Sequence, residues 1–162
     1  MPRSQRRGEQ RSGAVSRRIS RGFQRERFHE IVEASPISRS DIARLADVSA
    51  WTIRSWERRD VAPDIDRLVR VAEILNVDVA TLVQVPDDKC MPSDLRIRRG
   101  LTQMQLGALA GLSTTVVSGF ERAENRWSDR KAEQLAPVLG VTVEQLRQAW
   151  QRAKERPAGS PS

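Results

Sequence analysis

IARLADVS at residues 42–49 returns at residues 106–113 as LGALAGLS, 64 positions later and with no gap in the alignment. The register continues outward, so that Trp56 is matched by Phe120. Self-similarity at a fixed spacing identifies the unit of folding. The chain therefore contains two copies of one structural unit, each roughly 60 residues long.

Apolar residues in both copies recur at the spacing of helices. Leu68, Val71, Ala72 and Leu75, for example, follow the i, i+3, i+4, i+7 pattern of a helix with one buried face. Signals for strands are weak throughout, and the pattern predicts an all-α fold with five helices in each copy. For the second copy the predicted helices lie near residues 93–99, 103–110, 114–122, 128–139 and 142–153. Pro137 falls inside the fourth of these, where an interior proline is expected to kink the helix.

The composition divides the chain into five segments. They are a basic arm (1–22), the first repeat (23–85), a linker (86–92), the second repeat (93–154) and a short tail (155–162). The arm has almost no apolar residues to bury, which predicts disorder. It would serve as a solubilising tail, or it would add contacts to phosphates or to the minor groove of DNA.

The net charge of +7 is unevenly distributed. Seven arginines and one glutamate give residues 1–24 a charge of +6, whereas residues 25–86 carry −2. The high isoelectric point therefore belongs mainly to the ends of the chain. It indicates an anionic partner without saying which folded part would bind it.

Several classes of protein are disfavoured by what the sequence lacks. The single cysteine, Cys90, allows no intramolecular disulfide, and with His29 as the only histidine it cannot form a zinc site of the usual type. Cys90 is expected to be exposed in the linker and inert. The sequence has no apolar run of about 18 residues for a membrane span and no secretion signal. We expect a cytoplasmic protein that is not an enzyme, with no cofactor, no metal site and no small-molecule sensor domain.

Within each repeat, the residues around the quoted stretch fit two helices that cross through a tight turn. Such a turn needs a small residue where the helices approach, a residue that accepts a left-handed backbone, a cap for the second helix and an apolar anchor beneath it. The two copies supply these in the same order: Ala43, Asp47, Ser49 and Ile53, then Gly107, Gly111, Ser113 and Val117.

Both repeats resemble the lambda-repressor-like, Cro-type helix-turn-helix family over about 27–83 and 92–148. The residues that carry the resemblance are Ser38, Asp41, Ile42, Ala43, Trp56 and Glu57, and then Thr102, Gln103, Gln105, Leu106, Gly107, Phe120 and Glu121. The resemblance implies two tandem five-helix DNA-binding domains. In each, the third helix is expected to enter the major groove of double-stranded DNA, which also implies a nucleoid-associated protein.

The resemblance also implies which residues contact DNA. The first residue of helix two often holds a phosphate, and Gln103 and Arg39 occupy that position. Bases are read from the start of helix three, here Ala50, Trp51, Thr52, Arg54 and Ser55, and then Thr114, Thr115, Val116 and Ser118. The following loop grips the DNA backbone, through Arg58, Arg59, Arg122, Asn125 and Arg126. Arg54 is the strongest base-reading candidate, because its planar guanidinium suits guanine.

Two departures from the family pattern concern the end of helix three. The family often pairs an arginine of helix one with the glutamate of helix three, and Arg96 and Glu121 match this. Val32 takes the place of that arginine in the first repeat, which leaves Glu57 without the partner. A glycine usually follows shortly afterwards, and Arg59 and Ala123 replace it.

We expect a sequence-specific transcriptional regulator, a repressor of bacterial or phage type. Alternatively, one repeat binds DNA and the other docks a protein in an antitoxin-like or adaptor role, for which Trp51 and the negative charge favour the first repeat. A third interpretation is non-specific nucleoid binding through the arm.

The oligomeric state is also open. The chain could read a long asymmetric site as a monomer, because the ten residues 83–92, which include the linker, span at most about 33–36 Å when extended and half-sites one turn apart lie about 34–36 Å apart. It could instead form a homodimer through an exposed Trp150.

Overall fold

The structure is a computed structural model that describes residues 21–58 and 61–160. Most of the expected basic arm therefore lies outside the described residues. The same is true of Arg59, one of the expected DNA-contacting residues.

The first repeat folds into five helices. They are α1 (Arg25–Ala34), α2 (Arg39–Leu45), α3 (Ala50–Arg58), α4 (Ile65–Ile74) and α5 (Val79–Leu82). Side chains cap the N-termini of several of these helices. Ser38 Oγ accepts a hydrogen bond from Asp41 N, and Ser49 Oγ accepts one from Thr52 N at 3.0 Å. Such caps satisfy amide groups that the first turn of a helix leaves without partners.

The second repeat has the same five helices in the same order. They are α6 (Pro92–Arg98), α7 (Gln103–Ala110), α8 (Thr114–Glu121), α9 (Asp129–Leu139) and α10 (Val143–Glu155). The expected all-α fold with two tandem domains is confirmed. Helix α6 begins with Pro92, inside the expected linker, and α9 continues through Pro137 for two more residues before it ends at Gly140.

Outside the helices, the described ranges contain little regular structure. An isolated bridge joins Phe23 and Val83, and a 3₁₀ turn covers Asp87–Lys89. None of the helices in these ranges has the length and apolar character that crossing a bilayer would require.

The turn between helices two and three has the same geometry in both repeats. Asp47 and Gly111 adopt left-handed backbone with φ of 53° and 68°. In each copy the next residue bonds back into helix two: Val48 N donates to Ala43 O at 2.9 Å, and Leu112 N donates to Gly107 O at 2.8 Å. Two different residue types therefore produce one turn, because aspartate is among the few residues that tolerate this region.

Each repeat has its own apolar core. In the first, Phe28, Ile53, Trp56 and Leu68 are buried together, and the rings of Phe28 and Trp56 meet edge to face at 5.8 Å. In the second, Phe120 packs on Trp127 at 5.6 Å and Trp127 on Trp150 at 5.7 Å. Trp150 is thus buried in its own repeat and is not exposed for the homodimer that was left open as an alternative.

The linker is folded onto the second repeat, which corrects the expectation for Cys90. Cys90 is only 2% exposed, rather than exposed in the linker, because it packs into the second core together with Val85. Its thiol donates to Val85 O at 3.4 Å. The linker is also compact, since it contains the 3₁₀ turn and buries Cys90.

The two repeats are in contact with each other. Helices α5 and α6 pack together, and Ile97 of α6 belongs to the apolar cluster of the first repeat. Beside this contact lies an open groove of about 600 Å³, lined by Val69 and Glu73 from the first repeat and by Arg99, Leu109 and Val138 from the second.

Candidate nucleic-acid interface

Helices α3 and α8 are each held by one face, which fixes the side chains that they present to solvent. Ile53 and Trp56 bury the inner face of α3, and Val117 and Phe120 bury that of α8. Each helix begins directly after a capped turn, and its opposite face is exposed. Because the turn geometry is shared, the two exposed edges are presented in the same way by both repeats.

The exposed edge of α3 carries aromatic and cationic groups. Trp51 is 61% exposed, and Arg54 and Arg58 are also exposed, while Ala50 is half-buried. Thr52 and Ser55 are buried instead. The Thr52 hydroxyl is 2.8 Å from Ser49 Oγ, and Ser55 Oγ donates to Thr52 O at 2.8 Å. These two hydroxyls are therefore used within the helix, whereas the side chains of Trp51 and Arg54 are exposed on its surface.

The exposed edge of α8 is polar but uncharged. Thr115 is exposed, and Thr114, Val116 and Ser118 are half-buried. No charged residue occurs between Leu101 and Phe120, so the whole helix-turn-helix segment of this repeat is electrically neutral. The equivalent stretch of the first repeat contains three arginines, Arg39, Arg44 and Arg54, and two aspartates, Asp41 and Asp47.

Glu57, expected to lack a helix-one arginine, is held by Arg39 from the start of α2. Arg39 donates to both carboxylate oxygens, at 2.8 Å from Nη2 and 3.0 Å from Nε, and also bonds Glu33 of α1. His29 Nδ1 lies 2.9 Å from the same Glu57 carboxylate. The residue expected to hold a DNA phosphate is thus engaged by two carboxylates in the free protein.

In the second repeat the expected arginine–glutamate pair forms. Arg96 Nε donates to Glu121 at 2.6 Å and Nη2 to its other oxygen at 3.2 Å, with both side chains buried. Arg96 also donates to Leu101 O at 2.8 Å, and Gln103 Nε2 donates to Glu121 at 2.8 Å. Because two donors from different helices bind one buried carboxylate, this network positions α6, α7 and α8 relative to one another.

The loop after α8 contains three of the residues that are expected to contact the DNA backbone. Arg122 forms a two-point ion pair with Glu124, at 2.7 and 3.0 Å, whereas Asn125 and Arg126 are exposed. Between them, Ala123 adopts left-handed backbone with φ of 53°. The loop therefore keeps the conformation that glycine favours, even though alanine stands there.

The ion pairs shift the pKa values of the groups involved. Burial raises the pKa of Glu57, but hydrogen bonds from Arg39 and His29 and the charge of Arg39 outweigh this and hold the pKa below its usual value. The hydrogen bond to Glu57, followed by that to Glu33, raises the pKa of Arg39. Hydrogen bonding to Arg122 likewise lowers the pKa of Glu124. Glu57, Glu124 and Arg39 are therefore charged at neutral pH.

One group of side chains among the described residues has the spacing of metal ligands. His29, Glu33 and Glu57 place their ligand atoms within 4.8 Å of one another. The Arg39 guanidinium bonds both carboxylates and supplies the positive charge that they attract. The arrangement therefore acts as an ion-pair network that ties α1, α2 and α3 together.

Sequence reasoning missed three residues of these networks, namely His29, Glu33 and Glu124. A signal for another donor near Glu57 was available, because a buried glutamate without its usual arginine needs a hydrogen-bond donor or a cation nearby, but this signal does not point to the acidic Glu33. The alternative donor, Arg39, was identified, but only as a phosphate ligand. The pairing of Arg122 with Glu124 depends on the loop conformation, which the sequence did not reveal.

Comparison with known families agrees with this geometry. Residues 30–82 match a family described as "Helix-turn-helix", and residues 94–150 match one described as "Helix-turn-helix domain". No curated protein matches the chain. The matched ranges run from within α1 to the end of α5 and from within α6 into α10. The chain therefore belongs to the lambda-repressor-like helix-turn-helix proteins, DNA-binding regulators of which it carries two tandem domains.

Proposed function

We propose that the protein is a transcriptional repressor of bacterial or phage type that reads the major groove of double-stranded DNA with α3 and α8. Side chains at the start of these helices would contact base edges and supply sequence specificity. Contacts to phosphates would supply much of the affinity and make it fall with salt. Repression would follow from occupation of a promoter.

The observation that carries the proposal is the one-sided exposure of the two helices. In both repeats the inner face of helix three is fixed by a large aromatic residue, Trp56 or Phe120. The outer edge begins at a capped turn and presents Trp51 and Arg54, or Thr115, to solvent. A helix that is rigidly held with a polar edge outward suits insertion into a groove.

Arg54→Ala tests the base-reading role, with Arg67→Ala as the matched control. Both arginines are exposed, but Arg67 lies on α4 and not on helix three. A motif would first be selected from random duplexes with the full chain. We expect Arg54→Ala to weaken binding to that motif about 10- to 100-fold and to relax one base position. Equal effects of the two substitutions would contradict the proposal.

The repressor assignment has its own test. The selected motif is placed across a promoter, and transcription is measured in a purified system with increasing protein. A fall in transcript that requires the motif supports repression. An unchanged or increased amount of transcript would contradict repression but not sequence-specific DNA binding.

A second candidate function is that the second repeat docks a protein while the first reads DNA. The observation in its favour is the surface of α7, where Met104 is 65% and Leu109 is 63% exposed in a stretch without charges. Exposed apolar residues suit a protein partner better than phosphates. The sequence favours the first repeat for this role, where Leu45 and Trp51 are also exposed, whereas the lack of charge around Met104 and Leu109 favours the second.

Charge reversal distinguishes the two candidates. Arg54→Glu and Arg126→Glu place the same repulsive change beside helix three of the first and second repeats. If both repeats bind DNA, each substitution weakens binding. If only the first repeat binds DNA, Arg126→Glu leaves the affinity unchanged.

A further inference from the structure

The backbone of the second repeat lies directly against the first. Ile97 of α6 is 4% exposed and sits in the first repeat's apolar cluster. Three residues later Gly100 has φ of 68°, and a Cβ added there would lie 3.1 Å from Val69 Cγ2 and 3.6 Å from Val79 Cγ2. A contact this close leaves little room for the repeats to shift relative to each other.

The differences between the two copies coincide with this contact. The position of Ile97 is occupied in the first repeat by Glu33, and the position of Val69 is occupied in the second by Glu133. Both glutamates are exposed. At these positions, therefore, the copy that faces the other repeat is apolar and the copy that faces solvent is charged. This is the pattern of a buried interface and not of two independent domains.

The linker is held from both sides. Val83 is buried in the first core and Val85, two residues later, in the second. Arg98 donates to the Asp87 carboxylate at 2.8 Å and also to Val85 O, and Arg152 of α10 donates to Cys90 O at 2.7 Å. A linker with buried side chains and bonded carbonyls does not behave as a flexible spacer.

The segment before α1 closes the same junction. Gln24 N donates to Leu82 O at 2.8 Å, and Gln84 N donates to Gly22 O at 2.8 Å. Arg21 then pairs with the buried Asp94 of α6 at 3.1 Å. The residues before α1 are thereby hydrogen-bonded to the end of the first repeat and ion-paired with the second repeat.

We infer that the two repeats form one rigid body, and that the chain selects DNA by the distance and helical phase between two half-sites. The selection among DNAs rests on the proposed function, whereas the rigid junction does not. Ile97 and Gly100 are positioning residues: they set where α8 lies relative to α3. A flexible tandem protein would bind DNA with several distances between the two half-sites, whereas this protein binds DNA with a single distance.

A distance measurement in the free protein tests the rigid junction. Spin labels are attached through Arg67→Cys and Arg130→Cys, two exposed positions in different repeats. Cys90 can stay, because it is buried and its burial raises the pKa of its thiol. We expect one narrow distance distribution, broadened by Ile97→Ser and unchanged by Val143→Ser, which removes a side chain packed only on the second core. A broad distribution in the unsubstituted background would overturn the inference.

Insertions into the selected DNA motif test the consequence for recognition. Five added base pairs between the halves turn one half-site to the opposite side of the duplex, and ten add about 34 Å while restoring the phase. We expect each insertion to weaken binding about 10- to 100-fold, the loss of one half-site's specific contacts. Full affinity for either insertion, or a motif with only one half, would overturn the inference and leave the proposed function standing. Failure to select any motif would count against the proposed function, and the distance distribution would still decide the rigid junction.

Discussion

The two repeats pair an equivalent buried glutamate with arginines from different positions. Each buries a glutamate at the end of helix three, Glu57 or Glu121, and a buried carboxylate must be paired. The second repeat pairs it with Arg96 from helix one, whereas the first has Val32 there and takes its arginine from position 39. The arginine therefore comes from helix two in the first repeat and from helix one in the second, whereas the glutamate occupies the same position in both.

This relation predicts the outcome of an exchange in the second repeat. Arg96→Val leaves Glu121 with Gln103 as its remaining donor, and we expect the free energy of unfolding to fall by about 3–5 kcal/mol. Adding Gln103→Arg imports the arrangement of the first repeat and should restore at least about 1 kcal/mol. Urea unfolding of the two single variants and the double variant gives the coupling. Strictly additive effects would mean that an arginine at 103 cannot reach Glu121.

The lowered pKa of Glu57 predicts an acid-sensitive contribution to stability. A carboxyl group whose pKa is lower in the folded state stabilises the fold above its unfolded-state value, 4.5, and loses this effect as the pH falls through the folded value. We expect Glu57→Gln to cost about 1–3 kcal/mol at pH 5.5 and progressively less below pH 4.5. Urea unfolding between pH 5.5 and 3 measures this. Glu30→Gln, which removes an exposed ion pair with Arg27, is the control and should have little effect at any pH.

At the scale of the element, the helix-turn-helix follows from a few local residues, so the sequence predicted it well. Helical periodicity, Ser49 and Ser113 as caps, and Asp47 and Gly111 in the turn specify it independently of the rest of the fold. The partner of Glu57 and the burial of Cys90 and Trp150 depend on which distant elements meet. Local patterns do not encode those meetings, and there the expectations were incomplete or wrong.

The crossing of α7 and α8 depends on the absence of a side chain at Gly107. A Cβ added there would lie 2.6 Å from Leu112 O, the carbonyl of the residue that bonds back to Gly107. Ala43 holds the equivalent position in the first repeat, so a small adjustment of the turn can accommodate a methyl group. We expect Gly107→Ala to cost about 1–3 kcal/mol in unfolding free energy.

Gly107→Val tests the steric explanation, because its larger side chain should cost more than alanine. The reverse change, Ala43→Gly, relieves no clash and should cost only about 0.5–1 kcal/mol through backbone entropy. Thermal unfolding of the three variants provides the comparison. A stabilising Gly107→Ala would show that the helices separate without penalty.

At the scale of the whole molecule, the junction between the repeats affects how each one unfolds. A unit of roughly 60 residues buries only about 60% of the surface of its unfolded chain and is marginally stable by itself. Here Ile97 of the second repeat completes the first core, and Val85 at the end of the first repeat completes the second. Loss of either repeat therefore exposes apolar surface on the other, and the two should unfold together.

Tryptophan fluorescence can follow each repeat separately, because Trp51 and Trp56 lie in the first and Trp127 and Trp150 in the second. Replacing one pair by phenylalanine leaves reporters only in the other repeat, and phenylalanine already serves at the Trp56 position in the second copy, as Phe120. We expect coincident urea midpoints in the two reporter chains, because the shared surface makes the transition cooperative. Adding Ile97→Ser should separate them, with the first repeat unfolding earlier because it loses a buried side chain that it cannot replace. Midpoints that already differ in the reporter chains without Ile97→Ser would mean that the contact does not couple the repeats energetically.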